Sequence, residues 1–156
     1  MKCRVLKAHP ELDSVFLNSG IQRGMDFSKP ETLDLDTIGL EMTTNYTSYI
    51  HLLKAFLPHL IASKNQTSLI ATSSGLAMVP LYRCGNYCAT KAALHQLILT
   101  IRAQLKDTNV RVIEIMPRES SPHSPWTKLT SPQLLFRQNC TTRSIVCLTI
   151  VFLKRL

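Results

Sequence analysis

A tyrosine and a lysine four positions apart, Tyr87 and Lys91, stand in the segment NYCATKAAL at residues 86–94. On a helix, residues at i and i+4 lie on one face, so the two side chains would be neighbours. A lysine ammonium beside a phenol favours the phenolate and lowers a tyrosine pKa that starts at about 10. The pair could therefore exchange a proton with a substrate near neutral pH. Taken alone, a Tyr-x-x-x-Lys spacing is a short motif with a high false-positive risk.

Three short apolar runs, at residues 12–20, 67–74 and 110–116, have the composition of buried strands. Each run ends in, or is followed by, a polar or turn-forming residue. In a parallel sheet the carboxyl ends of the strands meet at one edge, where ligands bind. We therefore expect the residues at those three ends to share one rim, namely Asn18, Gly20, Ser74 and Pro117.

Two longer segments with helical spacing of apolar residues connect these runs, at 36–63 and 84–106. Asn45 lies in the first. The segment SKPE at 28–31 predicts a helix start with a capping box. The order strand, helix, strand, helix, strand predicts an α/β fold, an open parallel sheet with flanking helices.

The composition changes after Pro117. Residues 118–156 are rich in Ser, Thr and Pro, which predicts a poorly structured tail, and they end in the short apolar segment SIVCLTIVFL. That segment fits either a late strand or an exposed, aggregation-prone tail. The predicted organisation is thus one domain over residues 1–117 followed by the tail.

The composition also excludes several classes of protein. Apolar residues make up 45% of the 156 residues, which fits a globular domain, and no run reaches the roughly 18 to 20 apolar residues of a membrane span. The net charge of +8 is concentrated after residue 117, without a compact basic run, so nucleic-acid binding is not expected. The five cysteines show no metal-type spacing. They predict a reducing, cytoplasmic setting, with Cys84 and Cys88 as packing residues.

Four segments together resemble the short-chain dehydrogenase/reductase family of NAD(P)-dependent oxidoreductases, which have a Rossmann-like sheet. They follow one another in the family's order and at its spacings, over about residues 9–117. The matching segments are Asn18-Ser19-Gly20 after a strand, Asn45 in MTTNYTSYIHLLKAFLPHL, Ser74 in ATSSGLAMVP, and YCATK at 87–91.

The resemblance implies a role for each matched residue. Tyr87 would be the general acid in carbonyl reduction and the general base in alcohol oxidation, and Ser74 would orient the substrate oxygen. Lys91 would support the phenolate and bind the nicotinamide ribose, while Asn45 would hold a water that links Lys91 to solvent. Asn18, Gly20 and Pro117 would border the cofactor, NAD or NADP, a choice that stays undetermined.

The chain also departs from the family. The glycine-rich strand–turn–helix unit that binds the cofactor's phosphates has no counterpart, and the pattern is lost after Pro117. We therefore expect a partial domain, from a truncated product or from a change of reading frame or exon near residue 117. An alternative is a non-catalytic remnant that dimerises through the apolar faces of helices 36–63 and 84–106, which would then be interface rather than core.

Other polar residues receive simpler interpretations. His51, His59 and His95 lie on helical stretches without acid partners and are expected to be surface or interface residues. Met78 and Tyr82, in the loop between Ser74 and Tyr87, are candidates for the border of a substrate site.

Overall fold

The computed structural model describes residues 4–117 and 150–153, and within them four strands form one sheet. β1 (Ser14–Leu17), β2 (Thr67–Thr72) and β3 (Val110–Ile115) pair in parallel. β4 (Ile150–Leu153) runs antiparallel beside β1, which gives the order β3-β2-β1-β4. The late-strand interpretation of the apolar C-terminal segment is confirmed for these four residues, and the loop predicted over residues 118–149 lies outside the described residues.

Helices connect the three parallel strands, so the predicted α/β fold with a parallel sheet is confirmed. Between β1 and β2 the chain forms α2 (Leu35–Met42), a π-helical turn (Thr43–Thr47) and α3 (Ser48–Ala62). Between β2 and β3 it forms α4 (Gly85–Gln104). A short α1 (Arg4–Ala8), which the sequence did not indicate, precedes β1. Short 3-10 turns complete the connections, at Pro30–Thr32, Gly75–Ala77 and Tyr82–Cys84.

The long helix between β1 and β2 begins at Leu35, one residue before the predicted segment 36–63, and not at SKPE. Asp34 is its N-cap, and one carboxylate oxygen of Asp34 accepts hydrogen bonds from the backbone N–H groups of Asp36, at 3.0 Å, and Thr37, at 3.3 Å. The segment SKPE forms only a 3-10 turn, so the capping box predicted at 28–31 is wrong. An aspartate is as good an N-cap as a serine, and here it stands directly before the apolar periodicity begins.

The hydrophobic core lies between one face of the sheet and the two long helices. Alternate residues of β1 and β2 point into it, because successive strand residues face opposite sides. The helices contribute one buried stripe each, Leu53, Phe56 and Leu60 from α3 and Leu94, Ile98 and Ile101 from α4. The alternative in which these apolar faces form a dimer interface rather than core is therefore wrong for these residues. Dimerisation through other parts of the helices stays a prediction.

Replacing Leu94 by alanine tests this packing. Leu94 is 1% exposed, whereas Leu99 on the same helix is 39% exposed. Removing the buried side chain leaves a cavity, and we expect Leu94→Ala to lower the free energy of unfolding by about 2 to 5 kcal/mol. Leu99→Ala is the matched control and should cost well under half as much. Chemical denaturation of the three proteins measures the difference, and equal losses would contradict the placement of α4.

Candidate active site

An open cavity of about 660 Å³ lies at the carboxyl edge of the parallel strands. Segments from the ends of all three strands line it, together with the start of α4. Six of the seven residues that the sequence singled out are among its lining residues, namely Asn18, Gly20, Ser74, Tyr87, Lys91 and Pro117. The prediction that the three strand ends share one rim is confirmed.

Backbone contacts hold Ser74 at this rim. The N–H of Gly75 donates to the carbonyl oxygen of Pro117 at 2.9 Å, which ties the segment after β2 to the segment after β3. Ser74 is 7% exposed, and its Oγ accepts a hydrogen bond from the N–H of Leu76 at 3.1 Å. Ser74 therefore caps the turn Gly75–Ala77 while its hydroxyl proton stays available to donate.

Lys91 is buried to 3% exposure, and its Nζ donates to the carbonyl oxygen of Thr72 at 3.0 Å. A Cβ at Gly20 would stand 3.4 Å from this nitrogen, so a glycine leaves room for the ammonium. The Nζ also lies 5.7 Å from the ring centroid of Tyr87 and 5.9 Å from that of Tyr49. Burial lowers the pKa of Lys91 from 10.5 to about 8, because the charged form loses hydration.

Asn45 is the predicted site residue that does not line the cavity. It is fully buried in the π-helical turn, where its Oδ1 accepts from the N–H of Ile21 at 2.8 Å. Its Nδ2 donates to the carbonyl oxygen of Ile21 at 2.8 Å and to Thr90 Oγ1 at 3.0 Å. Thr90 Oγ1 in turn donates to the backbone oxygen of Tyr87 at 2.7 Å. One carboxamide thus braces both the loop after β1 and the first turn of α4.

A second network beneath the rim was missed by the sequence analysis. Ser73 Oγ donates to Glu114 Oε1 at 2.5 Å, and His95 Nδ1 lies 2.9 Å from the same oxygen. The expectation that His95 lacks an acid partner is wrong, because α4 packs His95 against the end of β3. The carboxylate stands between the serine and the imidazole, so the arrangement does not activate Ser73 as a nucleophile. A glutamate within the apolar run VRVIEIM was the available signal.

Glu41 is a second buried carboxylate that the sequence analysis did not single out. It is 1% exposed, and its Oε1 accepts from the backbone N–H of Arg23 at 2.8 Å. Its Oε2 accepts from Asn86 Nδ2 at 2.5 Å. Glu41 therefore links the loop after β1 to the residue that precedes Tyr87. The signal was weak, since an acidic residue on an amphipathic helix is usually solvated.

The loop between Ser74 and Tyr87 reaches the cavity with other residues than expected. Met78 and Tyr82 are 64% and 86% exposed and are not among the lining residues, so these two are wrong as candidates. Leu81, Arg83 and Cys84 line the cavity in their place. Cys84 and Cys88 are buried, and their sulfurs lie 3.9 Å apart, as expected of packing residues.

Two buried hydroxyl groups at the cavity have no hydrogen-bond partner within the described part of the chain. They are Ser19 Oγ and Thr72 Oγ1, and both residues are among the lining residues. Buried hydroxyls are normally paired, because an unpaired one loses its hydration without compensation. Both hydroxyls therefore stand out as polar atoms that nothing in the described part of the chain compensates.

Residues 4–117 contain neither a metal-ligand cluster nor a helix that could cross a membrane. No group of three or more His, Cys, Asp or Glu side chains there is arranged to hold a metal ion. None of the helices in that part combines the length and the apolar character that a bilayer crossing requires.

The fold and this constellation of residues define the class of protein. The sequence profile described as short chain dehydrogenase matches residues 3–124. The chain belongs to the short chain dehydrogenase family, a family of oxidoreductases.

Two curated relatives show how much of the family's length is present. The chain is 44% identical over 112 residues to the uncharacterized oxidoreductase DltE of Bacillus subtilis, a match that spans 72% of this chain and 44% of that protein. It is 31% identical over 112 residues to the NADP-dependent 3-hydroxy acid dehydrogenase of Schizosaccharomyces pombe, across 71% of this chain and 42% of that protein. The chain thus spans less than half the length of these relatives.

Solved structures agree with the fold. Serine dehydrogenase from Escherichia coli superimposes with a TM-score of 0.62 at 27% identity, over 68% of this chain and 48% of that one. The closed form of serine dehydrogenase complexed with NADP+ also matches with a TM-score of 0.62, over 42% of its chain. An alcohol dehydrogenase from the archaeon Thermococcus sibiricus matches with a TM-score of 0.65 at 24% identity, over 74% of this chain and 46% of that one.

The buried ammonium predicts an unusual dependence of stability on pH. Between about pH 8 and 10.5 the folded protein releases the Lys91 proton while the unfolded chain retains it. The free energy of unfolding must then rise with pH in that window, by ~3 kcal/mol for a pKa difference of this size.

Lys91→Met should abolish this rise and should stabilise the protein below pH 8, where the wild type buries a charge. Urea denaturation at several pH values measures both effects, and the difference between the two proteins removes the contribution of other titrating groups. Lys106→Met, at an exposed position, is the control. Parallel profiles for wild type and Lys91→Met would contradict the burial of a charged amine.

Proposed function

We propose that this site carries out NAD(P)-dependent interconversion of a carbonyl compound and an alcohol. The observation that carries the proposal is that Ser74, Tyr87 and the buried Lys91 line a single cavity at the edge of the sheet. A phenol can donate a proton to a carbonyl oxygen and take it back, and a hydroxyl and an ammonium beside it can support that transfer. Because the chain spans less than half of its relatives, activity of this chain is itself part of the proposal.

Ser74 and Tyr87 would act on the substrate oxygen. The Ser74 hydroxyl accepts from Leu76 and can therefore direct its own proton toward that oxygen. Tyr87 would donate its phenolic proton in reduction and accept a proton as phenolate in oxidation. The ammonium of Lys91, 5.7 Å from the phenol ring centroid, stabilises the phenolate by its charge.

Lys91 would also hold the cofactor. One of its three N–H groups is engaged by Thr72, and the others can donate to the hydroxyls of the nicotinamide ribose. The residues Asn18, Ser19, Gly20, Thr72 and Pro117 border the same cavity. When bound, the cofactor would supply or take up the hydride at the substrate carbon.

Asn45 would act by positioning rather than by contact with the substrate. Its side chain fixes Ile21 and, through Thr90, the backbone of Tyr87. Both N–H donors of its side chain are engaged with the protein. A water in a proton relay would therefore have to donate a hydrogen bond to an oxygen atom of Asn45. The residue thereby keeps the acid at a fixed place relative to the loop after β1.

The names of the relatives leave the substrate and cofactor open within this reaction class. One acts on a 3-hydroxy acid with NADP and another is called a serine dehydrogenase, whereas a further relative is an estradiol dehydrogenase of Mus musculus. The choice between NAD and NADP is undetermined.

Replacing Tyr87 by phenylalanine tests the mechanism. Removing one general acid lowers kcat by about a hundredfold or more, and we expect that loss for NAD(P)H-dependent carbonyl reduction by the purified chain. Tyr82→Phe is the matched control, because that ring is 86% exposed and lies outside the cavity lining. Equal rates for wild type and Tyr87→Phe, or no turnover by the folded wild type, would refute the proposal.

A further inference from the structure

The charged residues that line the cavity are all cationic. Arg23, Arg83 and Lys91 are among its lining residues, and no aspartate or glutamate is. We propose that the cavity takes a carboxylate-bearing substrate, a hydroxy acid or oxo acid, whose carboxylate is bound by Arg23 and Arg83. The inference rests on the proposed function, since it names the substrate class of that same site.

Arg23 is held in place without being neutralised. Its backbone N–H donates to Glu41 Oε1 at 2.8 Å, so the buried carboxylate contacts the backbone rather than the guanidinium. The guanidinium Nη1 donates to the neighbouring carbonyl of Gln22 at 3.0 Å. Within residues 4–117 no carboxylate forms an ion pair with Arg23. The position of this residue is thus fixed while its charge is available to a ligand.

Arg83 is brought to the same place from the other side of the cavity. Its carbonyl oxygen accepts from the N–H of Met25 at 3.0 Å, which ties the turn Tyr82–Cys84 to the loop that carries Arg23. Its guanidinium carbon lies 6.0 Å from the Tyr82 ring centroid. In the described part of the chain it too has no carboxylate partner. Two arginines on mutually bonded segments are therefore among the residues that line one cavity.

The position of the two arginines near Tyr87 favours binding of a carboxylate that belongs to the substrate. The guanidinium is a planar fork that binds a carboxylate through two parallel hydrogen bonds. Arg83 stands four residues before Tyr87, in the segment that joins Ser74 to Tyr87, the two residues proposed to contact the reacting oxygen. A carboxylate at the arginines and an oxygen at Tyr87 would then belong to one small molecule. A cofactor phosphate is the other source of a similar anion, and the experiment distinguishes the two.

The test is calorimetric titration of the full chain, without cofactor, with β-hydroxybutyrate and with its uncharged methyl ester. We expect the acid to bind at least about tenfold more tightly than the ester, the scale of one charge-assisted hydrogen bond. Arg23→Gln and Arg83→Gln should each remove about tenfold of the acid's affinity and leave that of the ester unchanged. Glutamine retains the backbone N–H that Glu41 accepts from.

Arg111→Gln is the control, since Arg111 is exposed on β3 and is not a lining residue. It should change neither affinity. Equal affinities for acid and ester, or no binding of either, overturn the proposal. Inorganic pyrophosphate is titrated in the same way. Arginine-dependent binding of pyrophosphate, without such binding of the acid, also overturns the proposal, because it would assign the arginines to a cofactor phosphate. Because no turnover is measured, this result is independent of the outcome for Tyr87→Phe, which tests the proposed function.

Discussion

The burial of one lysine ammonium is the constraint on which the rest of the site depends. Lys91 is 3% exposed, and the chain compensates for its lost hydration with the carbonyl of Thr72 and two aromatic rings. That arrangement requires α4 to approach the end of β2 closely, and it places Gly20 beside the ammonium, where an added Cβ would lie in contact with the nitrogen at 3.4 Å. Because burial disfavours the charged form, the pKa of Lys91 is lowered to about 8.

Buried polar groups hold the loops around Lys91 in place through hydrogen bonds. Asn45 reaches Ile21 and Thr90 with a single carboxamide. The π-helical turn Thr43–Thr47 sets it between α2 and α3, and such turns are frequent at functional sites. A rim built of loops would otherwise be mobile, and these bonds replace the ladder hydrogen bonds that loops lack. The backbone of the proposed acid, Tyr87, is therefore held by Thr90 and, through Thr90, by Asn45.

Two buried carboxylates also hold segments around the cavity in place. Glu41 and Glu114 accept hydrogen bonds from backbone, amide, hydroxyl and imidazole donors, and neither is paired with the cations of the cavity. A carboxylate engaged by fixed dipoles stabilises a loop without quenching a neighbouring charge. The cavity consequently keeps three cationic residues, and no carboxylate, among its described lining residues. This combination underlies both the proposed reaction and the proposed substrate class.

The grouping of Tyr87 and Lys91 with Ser74 rested on the family resemblance. The sequence by itself determined the order of strands and helices and the rim on which Asn18, Ser74 and Pro117 meet. Those features depend on local periodicity and on the rule that parallel strands end at one edge. It misplaced the N-cap at SKPE, and it assigned His95 to the surface. Tertiary structure alone decided those points, along with the bracing role of Asn45, whose partners lie 24 and 45 residues away, and the hydrogen bond from Met25 to the backbone of Arg83. Such contacts depend on how helices pack across the sheet, and a linear pattern does not encode which distant polar atoms become buried together.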